Sequence, residues 1–333
     1  MLVGRRCAHY DGAMREPETS EPRPATIVPV YNDWSSLQQL ARAIAGLSDP
    51  RPWLIVVDDG SGEPGPDLEA LAGMGLDGEI LRLRRNFGHQ QAIAAGVCHG
   101  VARNSEGPIV IMDGDGEDRP EDMARLLGAL ADRPGAIVVA ERARRHAPFG
   151  FRLFYRLYGA TFRALTGQHL GYGNFCALTP ADARRLTQMP ELNLHLAAAI
   201  LRSGLPIQRL AIDRGRRYDG RSKMSFVSLT GHGLRSIAVF AETVLTRIVI
   251  AAFLLAALGG LILVIVFAMK LLGIASPGWT TTVAGVILIV VAQIAMTGLL
   301  GLFVILRGQR PDPLDAAPAA QGLIDRIDRF GRE

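Results

Sequence analysis

The chain has 333 residues, 49% of them apolar, a formal net charge of +4 and three cysteines. Cys7, Cys98 and Cys176 show no paired spacing, which argues against a disulfide framework or a zinc cage and suits a reducing compartment. The first 24 residues carry Arg5, Arg6, Asp11, Arg15, Glu16, Glu18 and Glu21 with no apolar run, so they read as a disordered lead rather than a signal peptide.

From residue 25 to 230 short β-rich runs alternate with amphipathic helical runs, enough chain for one domain with a core. Strands are expected at Thr26–Val30, Trp53–Val57, Glu79–Leu83, Pro108–Met112 and Ala136–Ala140, and helices near Ser35–Leu47, His89–Ala102 and Pro120–Ala131. Several strand runs are continuously apolar, as parallel strands covered on both faces should be. The pattern predicts an α/β domain with a largely parallel sheet.

Two later stretches, Ile248–Met269 and Thr280–Leu306, contain no charged residue over 22 and 27 positions. About 20 apolar residues cross a hydrocarbon layer of roughly 30 Å, and buried core helices rarely run so long without a polar face. They are expected to be transmembrane helices, preceded by a juxtamembrane helix over 231–247. The short connection holds Gly273, Pro277 and Gly278, so the spans should form a hairpin with both flanks on one side. Arg235, Arg247, Arg307 and Arg310 lie on the flanks and only Lys270 at the tip, which by the positive-inside bias makes the large domain, the 307–333 tail and both termini cytoplasmic. In that tail Leu323, Ile324, Ile327 and Phe330 form a short amphipathic stretch suited to the domain, to lipid or to another subunit.

Ligands of open α/β sheets bind beyond the carboxyl ends of the strands. Asp58-Asp59-Gly60-Ser61 follows the second strand and Asp113-Gly114-Asp115 the fourth. Alternate residues of an extended stretch face one way, so Asp113 and Asp115 can converge on one hard cation, Mg²⁺ or Mn²⁺. Asp113, Asp115, Glu117, Asp118, Glu121 and Asp122 fall within ten residues, a repulsion that a cation or a basic partner must offset. Asp58 and Asp59 suit either a turn or acceptance from a base N–H or ribose hydroxyl.

Val28-Pro-Val-Tyr-Asn32, Val57-Asp-Asp-Gly-Ser61, Arg85–Ala92 and Met112–Glu121 occur in this order at familiar spacing, and Gly220-Arg-Ser-Lys223 precedes the apolar stretches. Together they resemble glycosyltransferase family 2, with its GT-A fold, in the dolichol-phosphate mannosyltransferase and GtrB-like polyprenyl-phosphate branch. The resemblance spans residues 25 to 306. It implies that Pro29, Tyr31, Asp58, Asp59, Arg85, Asn86 and Asp113 line the nucleotide pocket, and that Asp113, Asp115 and Glu117 hold the metal, Asp115 being catalytic. Glu117 stands where many relatives have Gln. Gly171 and Asn174 stand where many have Asp, in the loop expected near the sugar.

From Arg142 to Ala181 there are six Arg and no acid. Arg152, Arg156 and Arg163 interleave with Phe149, Phe151, Phe154, Tyr155, Tyr158 and Phe162, the make-up of an interfacial helix over about 149–166. Nucleic acid is a poorer fit, because it leaves the apolar hairpin unexplained. Arg142, Arg145, Arg217 and Lys223 match the family's basic positions and are expected to bind the acceptor phosphate, with Ser222 as an extra donor and with Arg142 and Arg217 also assisting catalysis. The implied reaction is inverting transfer of one sugar from a UDP- or GDP-sugar to an undecaprenyl-phosphate-like lipid at the inner membrane, for cell-envelope glycan modification. A phosphate acceptor is already anionic at neutral pH and needs no general base. The rival is a hydroxyl acceptor. Processive enzymes of that kind carry Gln-x-x-Arg-Trp, and Trp34, Trp53 and Trp279 lie in no such motif. A third reading, a membrane-tethered scaffold, predicts a degraded acidic site, yet both Asp-rich strand ends are intact. A homo-oligomer, a tetramer included, is compatible with the resemblance.

Overall fold

A computed structural model describes residues 23–47, 51–103, 107–142, 149–219, 226–274, 278–308 and 322–332. The disordered lead expected over 1–24, and Cys7 within it, lie almost wholly outside them. Four parallel strands, β1 (Ala25–Val30), β2 (Trp53–Asp58), β3 (Gly78–Leu83) and β4 (Ile109–Ile111), form the centre in the order β4-β1-β2-β3. Beyond β4 come β6 (Tyr172–Leu178), antiparallel to it, then β5 (Ile137–Arg142) and β7 (Ile207–Ile212), parallel to each other. The result is the mostly parallel mixed sheet expected of a GT-A domain.

The central strands are mostly apolar because both faces are covered, with Thr26, Asp58 and Glu79 as the buried polar exceptions. Ile27, Ile55, Val57 and Leu81 pack under α3 (His89–Arg103), while Val28, Leu54, Val56 and Ile80 pack under α1 (Trp34–Ala45) and α4 (Glu121–Asp132). α1 buries Leu37, Leu40, Ala41 and Ile44, the three-and-four spacing of one helical face. Three short helices complete the shell. α2 (Leu68–Gly73) is capped by Asp67, α6 (Pro180–Thr187) by Thr179 with Pro180 in its first turn, and α7 (Leu196–Arg202) by His195. The two described cysteines, Cys98 and Cys176, are buried free thiols, and burial pushes that of Cys98 up to about 12.

The expected spans lie inside α9 (Ala241–Leu271) and α10 (Trp279–Gly308), whose apolar windows have mean hydropathies of 3.0 and 2.4. They pack against each other through small residues. Gly259 abuts Val291, Gly298 abuts Ala252 and Gly301 abuts Val249, which lets the two backbones approach without a hydrophobic driving force between them. The juxtamembrane helix expected over 231–247 is split. α8 runs Phe226–Ala238, and the chain turns at Val239 and Phe240 before α9 begins. The turn arises because both side chains are buried with Phe162, Ala198 and Val244, and Phe162 meets Phe240 edge-on at 5.8 Å. This third cluster joins α5 (Phe149–Thr166), α7, α8 and α9. Arg247 adds a second tie by donating to the Ala164 carbonyl at the end of α5.

The tail returns to the domain. Ile324–Phe330 forms β8, antiparallel to β3 at the sheet edge. Of the three surfaces open to this stretch, it covers the one with unpaired strand groups. Glu79 of β3, fully buried, accepts from His99 at 2.6 Å and Arg103 at 3.3 Å, with Arg329 of β8 at 3.8 Å. Burial works to raise its pKa, but these cations outweigh burial and hold it below the usual value. Its contribution is therefore present above the ordinary carboxylate range and lost as pH falls through the depressed folded value. Glu79→Gln should cost about 2–3 kcal/mol at neutral pH. In thermal melts its gap to the wild type should close on acidification to about pH 4 or below.

Candidate active site

The carboxyl ends of β1, β2 and β4 open on one side of the sheet. Asp58 ends β2. Its Oδ1 accepts from the Ser61 amide at 2.9 Å and its Oδ2 from Arg82 Nη1 at 3.0 Å. Asp59 accepts from the amides of Phe87 at 2.7 Å and Gly88 at 2.9 Å, so it pins the loop before α3. Burial raises its pKa, against those two amides. Gly60 has φ 71°, and a Cβ there would lie 2.4 Å from the Arg85 carbonyl carbon, so only glycine admits this crossing of the two loops. Asn32, itself left-handed at φ 47°, donates its amide to Ser61 Oγ and accepts from Gly62, each at 2.9 Å. The structure thus brings Asp58, Asp59, Arg85 and Asn86 together around one rim. Pro29 is buried in β1 and Tyr31 is exposed at the mouth.

Asp113 and Asp115 follow β4. Asp113 Oδ1 lies 3.2 Å from His89 Nε2 at the start of α3, and the charge of Asp113 keeps the imidazole pKa raised against desolvation. Asn174 Nδ2 stands 3.1 Å from the same nitrogen, its Oδ1 accepts from Gln90 at 3.2 Å, and Gln90 Oε1 accepts from the Leu196 amide at 2.7 Å. Asn174, assigned from sequence to the sugar, therefore sits one contact from the acidic pair. Asp115 is raised by burial first and then by Asp113. Two hard oxygen donors that repel each other are what Mg²⁺ or Mn²⁺ offsets, with water and phosphate oxygens filling its other positions, so the pair fits such an ion. Among the described residues no three His, Cys, Asp or Glu side chains gather as a closed cage. Phosphate oxygens would complete the shell.

Glu117 turns to the basic segment after β7. Arg217 Nη2 lies 2.8 Å from Asp115 Oδ2 and its Nε donates to Glu117 Oε1 at 3.0 Å, while Arg214 pairs with the other Glu117 oxygen. The two segments also pair by backbone. Gly215 donates to the Glu117 carbonyl at 2.8 Å and Tyr218 to that of Asp115 at 2.9 Å. Gly116, at φ 86°, lies under the Tyr218 ring, where a Cβ would be 2.7 Å from it. The residue standing where many relatives have Gln thus has a use of its own, since both oxygens of a carboxylate accept from guanidiniums, whereas an amide offers one accepting oxygen and no charge. Arg142 ends β5 but its side chain lies outside the described residues, as do Arg145, Ser222 and Lys223 altogether.

Sequence reading missed Arg82, Gln90 and a histidine pair. His195 and His232 face each other with Nε2 atoms 3.0 Å apart, joining the cap of α7 to α8. The Ala198 amide donates to His195 Nδ1, so the ring proton lies on Nε2. Burial above all, and then His232, lowers the His195 pKa to about 3. Nothing in the spacing of single histidines announces such a pair.

The family model described as Glycosyl transferase family 2 matches residues 26–181. Curated relatives include the undecaprenyl-phosphate 4-deoxy-4-formamido-L-arabinose transferases of Salmonella paratyphi A and Salmonella choleraesuis (strain SC-B67), 27% and 28% identical over 220 residues. Each alignment covers 62% of this chain and 63% of the relative, so the chain spans less than two thirds of their length. Among solved structures, glucosyl-3-phosphoglycerate synthase from Mycobacterium tuberculosis with Mn²⁺ and UDP-glucose is similar at 17% identity and a TM-score of 0.49, covering 67% of this chain and 79% of that one.

Proposed function

We propose that this chain, whose residues 26–181 form a glycosyl transferase family 2 domain, moves one sugar from a nucleotide sugar to a polyprenyl phosphate with inversion at the anomeric carbon. The observation that carries this reading is Arg217, held by Asp115 and Glu117 at the acidic strand end. A guanidinium fork there suits a phosphate oxyanion approaching the donor diphosphate. Arg142, Arg145, Ser222 and Lys223 are proposed as further contacts to that phosphate, on the strength of the sequence resemblance.

Pro29, Tyr31, Asp58, Asp59, Arg85, Asn86 and Asp113 would bind the nucleotide, and Asn174 the sugar. Asp113 and Asp115 would hold a divalent cation, which when bound supplies positive charge against the diphosphate. Glu117, engaged by two guanidiniums, would act through them. The phosphate acceptor attacks as an anion, so the residues' work is positioning and charge stabilisation rather than proton removal. The Salmonella relatives are named as undecaprenyl-phosphate transferases, which favours this acceptor class.

The helical hairpin supports a membrane location. Because β8 follows α10 and pairs with β3, both flanks of the hairpin meet in one sheet, which supports placing them on one side of the bilayer. The arginine bias makes that side the cytoplasmic face, with 25–230 as catalytic domain and α5 at the interface. Purified protein given Mg²⁺ or Mn²⁺, undecaprenyl phosphate and a panel of UDP- and GDP-sugars should yield a lipid-linked monosaccharide. Absence of glycolipid with every donor would sink the proposal.

A further inference from the structure

We propose that Asp328, on the strand that follows the membrane hairpin, positions Asp58 in the nucleotide pocket by fixing Arg82 between them. Arg82 Nε donates to Asp328 Oδ2 at 2.7 Å and its Nη1 to Asp58 Oδ2 at 3.0 Å. The far oxygen of Asp58 accepts from Ser61, whose hydroxyl in turn accepts from Asn32. An unbroken line of short polar contacts therefore runs from the last strand to the rim where β1 and β2 end.

The guanidinium has little room to do anything else. The Trp34 ring lies 5.5 Å from Cζ, and Gly65 is so close that a Cβ there would meet Nη2 at 2.4 Å. Trp34 and Gly65 belong to the segments after β1 and β2 that flank the pocket, so Arg82 braces its wall as well as Asp58. The Asp58 side chain is only 4% exposed, and Arg82 is the cation beside it. A buried carboxylate that loses the alignment of its cation loses its own orientation, because desolvation leaves no water to take the place.

A plain strand staple would look different. Arg329, the next residue of β8, points to the opposite face, toward Glu79, His99 and Arg103, and that network does not touch the pocket. The two neighbours therefore separate docking of the strand from support of the site. The inference rests on the assignment of Asp58 to the nucleotide under the proposed function.

The test is calorimetric titration of the full-length protein in detergent with UDP and, separately, GDP in the presence of Mg²⁺. Whichever nucleotide the wild type binds should bind about tenfold more weakly to Asp328→Asn, the effect of losing one charge-assisted hydrogen bond. Asp328→Glu should restore most of the affinity, and Arg329→Ala should stay within about twofold of wild type, well under a tenfold step. Unchanged affinity in Asp328→Asn would overturn the inference alone. Equal losses in Asp328→Asn and Arg329→Ala would reduce Asp328 to a staple and overturn it as well. A wild type that binds neither nucleotide would overturn the pocket assignment itself, and this inference with it.

Discussion

Asp115→Asn should abolish most transfer, by about 10³-fold, in a protein that stays folded. The magnitude follows from removing one of the two charged oxygen donors that would hold a divalent cation against the diphosphate, an effect of about 4 kcal/mol on the barrier. The fold survives because Asp115 Oδ1 accepts from the Glu117 amide at 2.9 Å, a role that an asparagine oxygen retains. Stability should be unchanged or slightly higher, since burial and Asp113 both disfavour the charged form of Asp115. Initial rates of glycolipid formation, measured beside a thermal melt, separate the two effects. Activity within tenfold of wild type would remove Asp115 from the site.

The second large effect concerns the acceptor. Arg217→Ala should raise KM for the polyprenyl phosphate by about 30- to 100-fold, the value of a charge-assisted contact of 2–3 kcal/mol, with a smaller change in KM for the donor. Arg214 remains paired with Glu117 in this variant, so the acidic loop keeps a cation. Arg217→Lys should recover only part of the loss, because an ammonium supplies the charge without the fork that spans Asp115 and Glu117. If lipid kinetics were unchanged in Arg217→Ala, the acceptor phosphate would have to bind elsewhere.

The parts legible in the sequence are those governed by local rules. Largely apolar runs bounded by turn residues marked β1 to β5, because strands covered on both faces leave few positions for a polar side chain. Charge-free length marked the hairpin. The acidic strand ends were visible because ligand sites of such sheets gather there. What was missed depends on partners distant in the chain. Leu323, Ile324, Ile327 and Phe330 read only as a short amphipathic stretch with several possible docking surfaces. In the structure the segment is a strand, and a register shift at Leu83 lets Ile324 and Ile327 share the α3 side while Phe330 packs on the other. Arg82 looked like an ordinary polar position of an edge strand. Its two carboxylate partners, Asp58 and Asp328, are 24 and 246 residues away. The broken juxtamembrane helix has the same origin, since Phe240 is turned inward by Phe162, a contact no local pattern encodes.

The Glu117 substitution shows how a departure from a family pattern becomes interpretable only in three dimensions. From sequence it adds a negative charge to an already acidic loop. In the structure that charge is spent on Arg214 and Arg217, which the paired segment 215–218 delivers to it through two backbone hydrogen bonds. The acidic loop and the basic segment are thus one unit.

The measurement that tests the central claim most directly compares undecaprenyl phosphate with undecaprenol as acceptors, under the same donor and Mg²⁺, for the wild-type protein. Under the proposed function a phosphate acceptor needs no base and would engage the guanidinium of Arg217, so product should form with undecaprenyl phosphate and not with the alcohol. Comparable turnover of undecaprenol, or product from the alcohol alone, would contradict the account and make this a hydroxyl-directed glycosyltransferase.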